Sequence, residues 1–217
     1  MFGEIFSKDF LYSTLIILPG ILIGFSFHEF AHAFFSDKLG DPTPREQGRL
    51  TLSPLVHIDI IGFIMIILVH FGWAKPVQIN PRYYKNPLRD EIIVSVAGPL
   101  TNLAISIIFA MILKIYIGSG FSDFFSPDIS LILIEIIKAT IAINIILFIF
   151  NLLPIPPLDG SHVLLLLLPR KYFKAKMFIN KYGILFLLIL VLTPLSGFLI
   201  FYPADYIIEI IYITFNL

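Results

Sequence analysis

The chain has 217 residues, 15 of them basic and 15 acidic, with no net charge. Hydrophobic residues make up 58% of it and mean hydropathy is +0.92, too apolar for a soluble domain of this size and the mark of an integral membrane protein. There is no cysteine, which excludes disulfides and thiolate ligands, and the neutral balance gives no basic footprint for nucleic acid.

The N-terminal apolar run is not expected to be a cleaved signal peptide, because the flank containing Glu4, Lys8 and Asp9 is not positive. A first membrane span is predicted over 11–35, with Pro19 and Gly20 as an early kink. Inside it lies Phe27-His28-Glu29-Phe30-Ala31-His32, an H-E-x-x-H motif. On a helix, His28 and His32 fall one turn apart on one face, a spacing that lets two imidazoles hold one divalent metal, zinc being best suited. Glu29 sits beside them, placed to take a proton from a water polarised by the metal. Ionisable groups at membrane depth each cost about 2.5 kcal/mol or more unless partnered, so three together point to a site.

The segment 36–57 is rich in turn formers, and within it Gly48-Arg49-Leu50-Thr51-Leu52-Ser53 alternates polar and apolar, which predicts a short strand. The apolar element 60–71 spans only about 18 Å as a helix, against a hydrocarbon core of about 30 Å. A re-entrant or leaflet-embedded element is expected there. A basic, Pro-rich loop follows at 73–91, then a second span at 92–117 and an acidic turn at 118–128. A third span at 129–153 runs into Pro154-Ile155-Pro156-Pro157-Leu158-Asp159-Gly160. Basic residues at 170–181 precede a fourth span at 183–202 and an apolar-rich tail. Positive loops face the cytoplasm, which puts 36–57, 73–91 and 170–181 inside and the metal motif toward the cytoplasmic end of its span. The expected architecture is therefore an all-α polytopic membrane protein forming a single domain, 1–217. It has four transmembrane helices, a short re-entrant element and small β-strand segments in the cytoplasmic-side loop.

A catalytic zinc ordinarily takes a third protein ligand and water. Asp59, Asp90, Glu91, Glu135, Asp159, His57 and His162 are the candidates. Asp59, Asp90 and Glu91 adjoin loops, and Glu135 is placed to pair with Lys138 three residues on. Asp159 follows three prolines that break the helix, so its carboxylate can turn inward; its plainer use is to N-cap a helix at 161–168. Among the asparagines, Asn151 just before the break is the expected donor near the metal. Asn144 and Asn102 fit interhelical hydrogen bonding as well.

Taken together, His28-Glu29-Phe30-Ala31-His32, Gly98-Pro99-Leu100-Thr101-Asn102 and Asn151-Leu152-Leu153-Pro154-Ile155-Pro156-Pro157-Leu158-Asp159-Gly160 resemble the site-2 protease family of intramembrane zinc metalloproteases. The stretches 48–62 and 72–81 resemble a compact prokaryotic branch without PDZ or CBS domains, and the likeness covers 25–169. The resemblance implies one Zn2+ per chain on His28, His32 and Asp159, with Glu29 as general base. It implies substrate handling by Asn151, with Asn102 as a second substrate-binding candidate. Expected partners are a transmembrane or membrane-associated protein substrate and the lipid bilayer, with room for a homo-oligomer. The implied location is a prokaryotic cell membrane. The implied reaction is peptide-bond hydrolysis in or beside the bilayer, in regulated intramembrane proteolysis. The substrate would pair as an extended strand with 49–53 or 77–80. The rivals are a divalent-metal transporter and a catalytically silent metal-binding membrane protein.

Overall fold

A computed structural model describes residues 7–70 and 72–217. Glu4 of the N-terminal flank and Phe71, the expected end of the short apolar element, lie outside the described residues. The chain forms α1 (Lys8–Lys38), the short α2 (Thr43–Glu46) and α3 (Pro54–His57), and α4 (Ile60–Val69). It continues with α5 (Pro87–Gly118), α6 (Pro127–Leu152), α7 (Asp159–Leu167), α8 (Phe173–Leu192) and α9 (Tyr202–Phe215). A π-helical turn at Gly197–Phe201 leads into α9.

Among the described residues five helices are long and apolar enough to cross a membrane, not the expected four: α1, α5, α6, α8 and Gly197–Phe215. The predicted span at 183–202 is two pieces. Here α8 begins at Phe173 and ends at Leu192, before Thr193 and Pro194, whose missing N–H cannot continue a helical ladder. The tail then re-forms a helix in which Asp205 and Glu209 dilute the apolar signal. Leu15, Ile115, Leu131, Leu185 and Ile213 are among the large apolar side chains left exposed on these helices, a surface suited to lipid rather than water.

Among the described residues there is no β-strand, so the expected strand at 48–53 is absent; the nearest approach is an isolated antiparallel bridge between Ile58 and Ala74. The alternating pattern misled because Arg49 is buried, not solvated, and bonds main-chain carbonyls of other segments. The short apolar element is a single helix. At ten residues, α4 extends about 15 Å. Its N-cap Asp59 accepts the Gly62 N–H at 2.9 Å, and it ends on His70 in the left-handed region. Lys75 N donates to His57 O at 2.8 Å, so the chain enters and leaves α4 at one place.

Helices α1, α5 and α6 pack mutually and carry the site. Gly20 and Gly24, one turn apart on α1, let its backbone approach α6 closely. A Cβ on Gly20 would lie 2.9 Å from Thr140 Cα, and one on Gly24 would lie 2.8 Å from Leu147 Cδ1. Beside this contact Ala110 and Leu113 of α5, Ile141 and Ile145 of α6, and Ala204 and Ile211 of α9 form the apolar core. Glu135 does not pair with Lys138 as expected; it accepts the Tyr12 hydroxyl at 2.6 Å, joining α6 to α1.

Candidate metal centre

His28 and His32 lie one turn apart on α1, facing α5 and the start of α7. His28 Nδ1 is 2.7 Å from Asn102 Oδ1 on α5, and His32 Nδ1 is 2.8 Å from the Val94 carbonyl about two turns earlier on the same helix. Asn102 orients its oxygen toward the ring because its nitrogen faces two acceptors, Gly24 O at 3.1 Å and Asn144 Oδ1 at 2.9 Å. A carbonyl or amide oxygen only accepts, so both histidines carry a proton on Nδ1 and turn Nε2 toward Asp159.

The two Nε2 atoms are 3.0 Å apart, and Asp159 Oδ2 lies 3.1 Å from one and 3.3 Å from the other. The three atoms therefore converge on one small space between α1 and α7. Asp159 Oδ2 is buried with no hydrogen-bond partner. Three lone-pair donors converging this closely repel one another unless a cation joins them. A tetrahedral ion with bonds of about 2.0–2.1 Å sets its ligands about 3.3 Å apart, so the donor set fits zinc in number, chemistry and span. His28, His32 and Asp159 form a group able to hold a metal ion. Gly98 on α5 makes the room: a Cβ there would lie 2.6 Å from His28 Cε1 and 2.7 Å from its Nε2, and would strike His32 Nε2 as well.

The proline break delivers the third donor. Here α6 stops at Leu152 and the chain turns through 153–158, with a cis bond between Pro156 and Pro157. Asp159 is the first residue of α7, and the N-cap is Leu158 without a side-chain cap, so capping is not what Asp159 does. Ser161 N and Oγ both donate to Leu158 O, at 3.0 and 2.6 Å, fixing the turn that aims it.

Glu29 is buried, and its Oε2 accepts the Val77 N–H at 2.8 Å. Behind it the C-terminal end of α1 is tied to the loop after α4. Asp41 accepts from Ser36 Oγ at 2.8 Å, Asn80 N at 2.7 Å and Thr43 N at 3.0 Å. Burial pushes the Asp41 carboxyl up, but these hydrogen bonds, those from Thr43 first, outweigh it and hold it below the ordinary carboxylate value. Burial pushes Tyr84 up to about 12, so its hydroxyl stays a neutral donor to Ser36 Oγ at 2.7 Å.

The remaining candidates fall elsewhere. Asp59 caps α4, and Asp90 accepts from Asn86 N and Arg89. His57 is fully buried, bonded through Nε2 to Thr51 O, and His162 is exposed. Asn151 is half-buried at the end of α6, its Nδ2 donating to Leu147 O at 3.0 Å. Asn102 has 0% exposure and both ends of its amide are engaged inside the protein, whereas a substrate contact needs an open face. The Gly98–Asn102 spacing, one residue over the rings and one at Nδ1, is the signal by which the His28 partner could have been found.

The family model described as Peptidase family M50 matches residues 16–190. The candidate zinc metalloprotease YwhC of Bacillus subtilis is 38% identical over 198 residues, covering 88% of each chain. The candidate zinc metalloprotease MJ0611 of Methanocaldococcus jannaschii is 32% identical over 152 residues, covering 69% of each. Rip2 of Mycolicibacterium smegmatis, named likewise, is 27% identical over 83% of this chain and 68% of its own. No solved structure matches the chain.

Proposed function

The chain belongs to peptidase family M50, and from that membership we propose that its metalloprotease activity is intramembrane proteolysis. It hydrolyses peptide bonds of transmembrane or membrane-associated proteins, within or at the edge of the bilayer, using one zinc on His28, His32 and Asp159. The observation that carries the reading is the close triangle of two Nε2 atoms and Asp159 Oδ2 beside the buried Glu29. When bound there, zinc supplies Lewis acidity that polarises the scissile carbonyl and lowers the pKa of water to about 7.

The chain's own residues do the rest. Asn102 and the Val94 carbonyl hold the two imidazoles in the tautomer that offers Nε2. Glu29 takes the proton from the attacking water and passes it to the leaving amine. Asn151, at the edge of the break, turns its amide from Leu147 O to the substrate carbonyl. The substrate, unwound to expose its carbonyls, lies along 77–80, which has no regular secondary structure of its own. The basic loops support a cytoplasmic orientation for this chemistry, and the cellular role proposed is regulated cleavage of a membrane substrate in a prokaryotic cell membrane. A metal transporter needs further ligands along a crossing path; among the described residues His28, His32 and Asp159 form the one such cluster.

The test is zinc content and turnover of the purified protein on a membrane-embedded reporter. The wild type is expected to hold one zinc per chain and cleave. Asp159→Ala and His28→Ala should lose zinc, while Glu29→Gln should keep it and stop cleaving. Cleavage by Glu29→Gln at the wild-type rate would sink the reading.

A further inference from the structure

Arg49 is buried to 4% exposure in the loop between α2 and α3, and among the described residues no carboxylate pairs with it. Its guanidinium instead grips three main-chain carbonyls: Val56 O, Lys75 O at 2.9 Å and Pro76 O at 2.7 Å. The last of these begins the peptide unit that ends in Val77 N–H, which donates to Glu29 Oε2 at 2.8 Å. A trans peptide is planar and sends its C=O and N–H in opposite directions. One rigid amide therefore stands between Arg49 and Glu29, pulled at its oxygen by a cation and engaged at its nitrogen by a carboxylate. A charged donor on the carbonyl polarises the amide and strengthens its N–H as a donor, since hydrogen bonds in series reinforce one another.

We propose that Arg49 is the positioning residue of the reaction: through the Pro76–Val77 peptide it holds the Glu29 carboxylate in the orientation that proton transfer requires. This rests on Glu29 being the general base. The neighbouring groups fit a fixed strut. Lys75 N is engaged with His57 O and Asn80 N with Asp41, so the segment is anchored on both sides of the amide that reaches Glu29. Lysine cannot replace Arg49, because three carbonyls held at once need the fork of a guanidinium.

The experiment is a double-mutant cycle on the purified full-length protein with the membrane reporter, reading kcat and KM separately alongside bound zinc and Tm. Arg49→Lys is expected to lower kcat roughly tenfold or more, as misplacement of a catalytic group does, with KM within about twofold and zinc retained. In a Glu29→Asp background, whose shorter carboxylate no longer reaches the Val77 N–H, the same change should cost less than about twofold. An equal loss in both backgrounds, or a loss confined to KM, overturns the proposal. If Arg49→Lys loses zinc or Tm, the decision passes to a Val77 amide-to-ester replacement, which deletes the N–H and leaves Arg49 in place. A kcat loss there supports the strut, and an unchanged kcat overturns it. Glu29→Gln separates the two readings: if it still cleaves, the base assignment is lost. If it is inactive while Arg49→Lys matches the wild type, only the strut is lost.

Discussion

His28 donates its Nδ1 proton to Asn102 Oδ1 at 2.7 Å, and that bond decides which nitrogen of the ring faces Asp159. The asparagine is held in turn by Gly24 O and by Asn144, which itself donates to Thr140 O at 2.9 Å. Three helices thus share one polar chain ending at a lone pair. Asn102→Leu is expected to weaken zinc binding about 10–100-fold, the usual effect of removing an outer partner of a ligating histidine. Asn144→Ala should weaken it less, through a loosened Asn102. Zinc affinity by competition with a chelator checks both, and unchanged affinity in Asn102→Leu refutes the orienting role.

Asn151 makes a different prediction because its amide bonds locally, to Leu147 O. Loss of a transition-state donor costs roughly 3 kcal/mol, whereas an interhelical hydrogen bond in a membrane averages about 0.6 kcal/mol. Asn151→Ala should therefore lower turnover by about two orders of magnitude with zinc content and Tm nearly unchanged. A fall in Tm with normal activity per folded molecule would show the asparagine to be packing.

Asp41 sets an acid limit on stability. Its carboxyl is held below the ordinary value in the folded protein, so the unfolded chain takes up the proton first as pH falls. The stabilisation it gives is complete above the unfolded value of about 3.9 and is lost as pH drops through the folded one. Asp41→Asn should lower Tm at pH 7, by roughly 1–3 kcal/mol of lost hydrogen bonding to a charge, and flatten the decline of Tm below about pH 4. Equal acid slopes in mutant and wild type would exclude Asp41 as the source.

The loops around α4 give a topology test. Arg49 holds both Val56 O and Pro76 O, and Lys75 N reaches His57 O, so the two flanks of α4 meet. Single cysteines placed in 36–57 and in 73–86 of this cysteine-free chain should be labelled from the same side, opposite to those in 118–125. Labelling of the first two from opposite faces would make α4 a crossing segment.

Much of this was legible in the sequence because it rests on spacing along one chain. His28 and His32 follow from helical periodicity, Asp159 from prolines that must break α6, and the shortness of α4 from counting. What escaped depends on contacts between distant segments. Nothing local in Asn102 says that its oxygen meets His28, seventy-four positions away, or that Gly98 must lack a side chain to clear both rings. Arg49 was misassigned to a strand because alternation records polarity and cannot tell a solvated guanidinium from one buried on carbonyls. The fifth apolar helix was hidden for the opposite reason: two acids lowered its hydropathy without preventing it from packing on α6.

The hairpin made by α4 and the segment after it touches α1 twice. At its tip His70 Nε2 donates to Thr14 Oγ1 at 2.8 Å while its ring stacks on Phe10, and at its base Val77 N donates to Glu29 at 2.8 Å. Those two points on α1 are about 22 Å apart along the axis at 1.5 Å per residue, and Pro19, the weak link of that helix, lies between them. The hairpin therefore splints α1 across its own flaw. Bending at Pro19 strains the tip or the base of the splint, so motion in the N-terminal half of α1 is felt at Glu29 without passing through the helix itself.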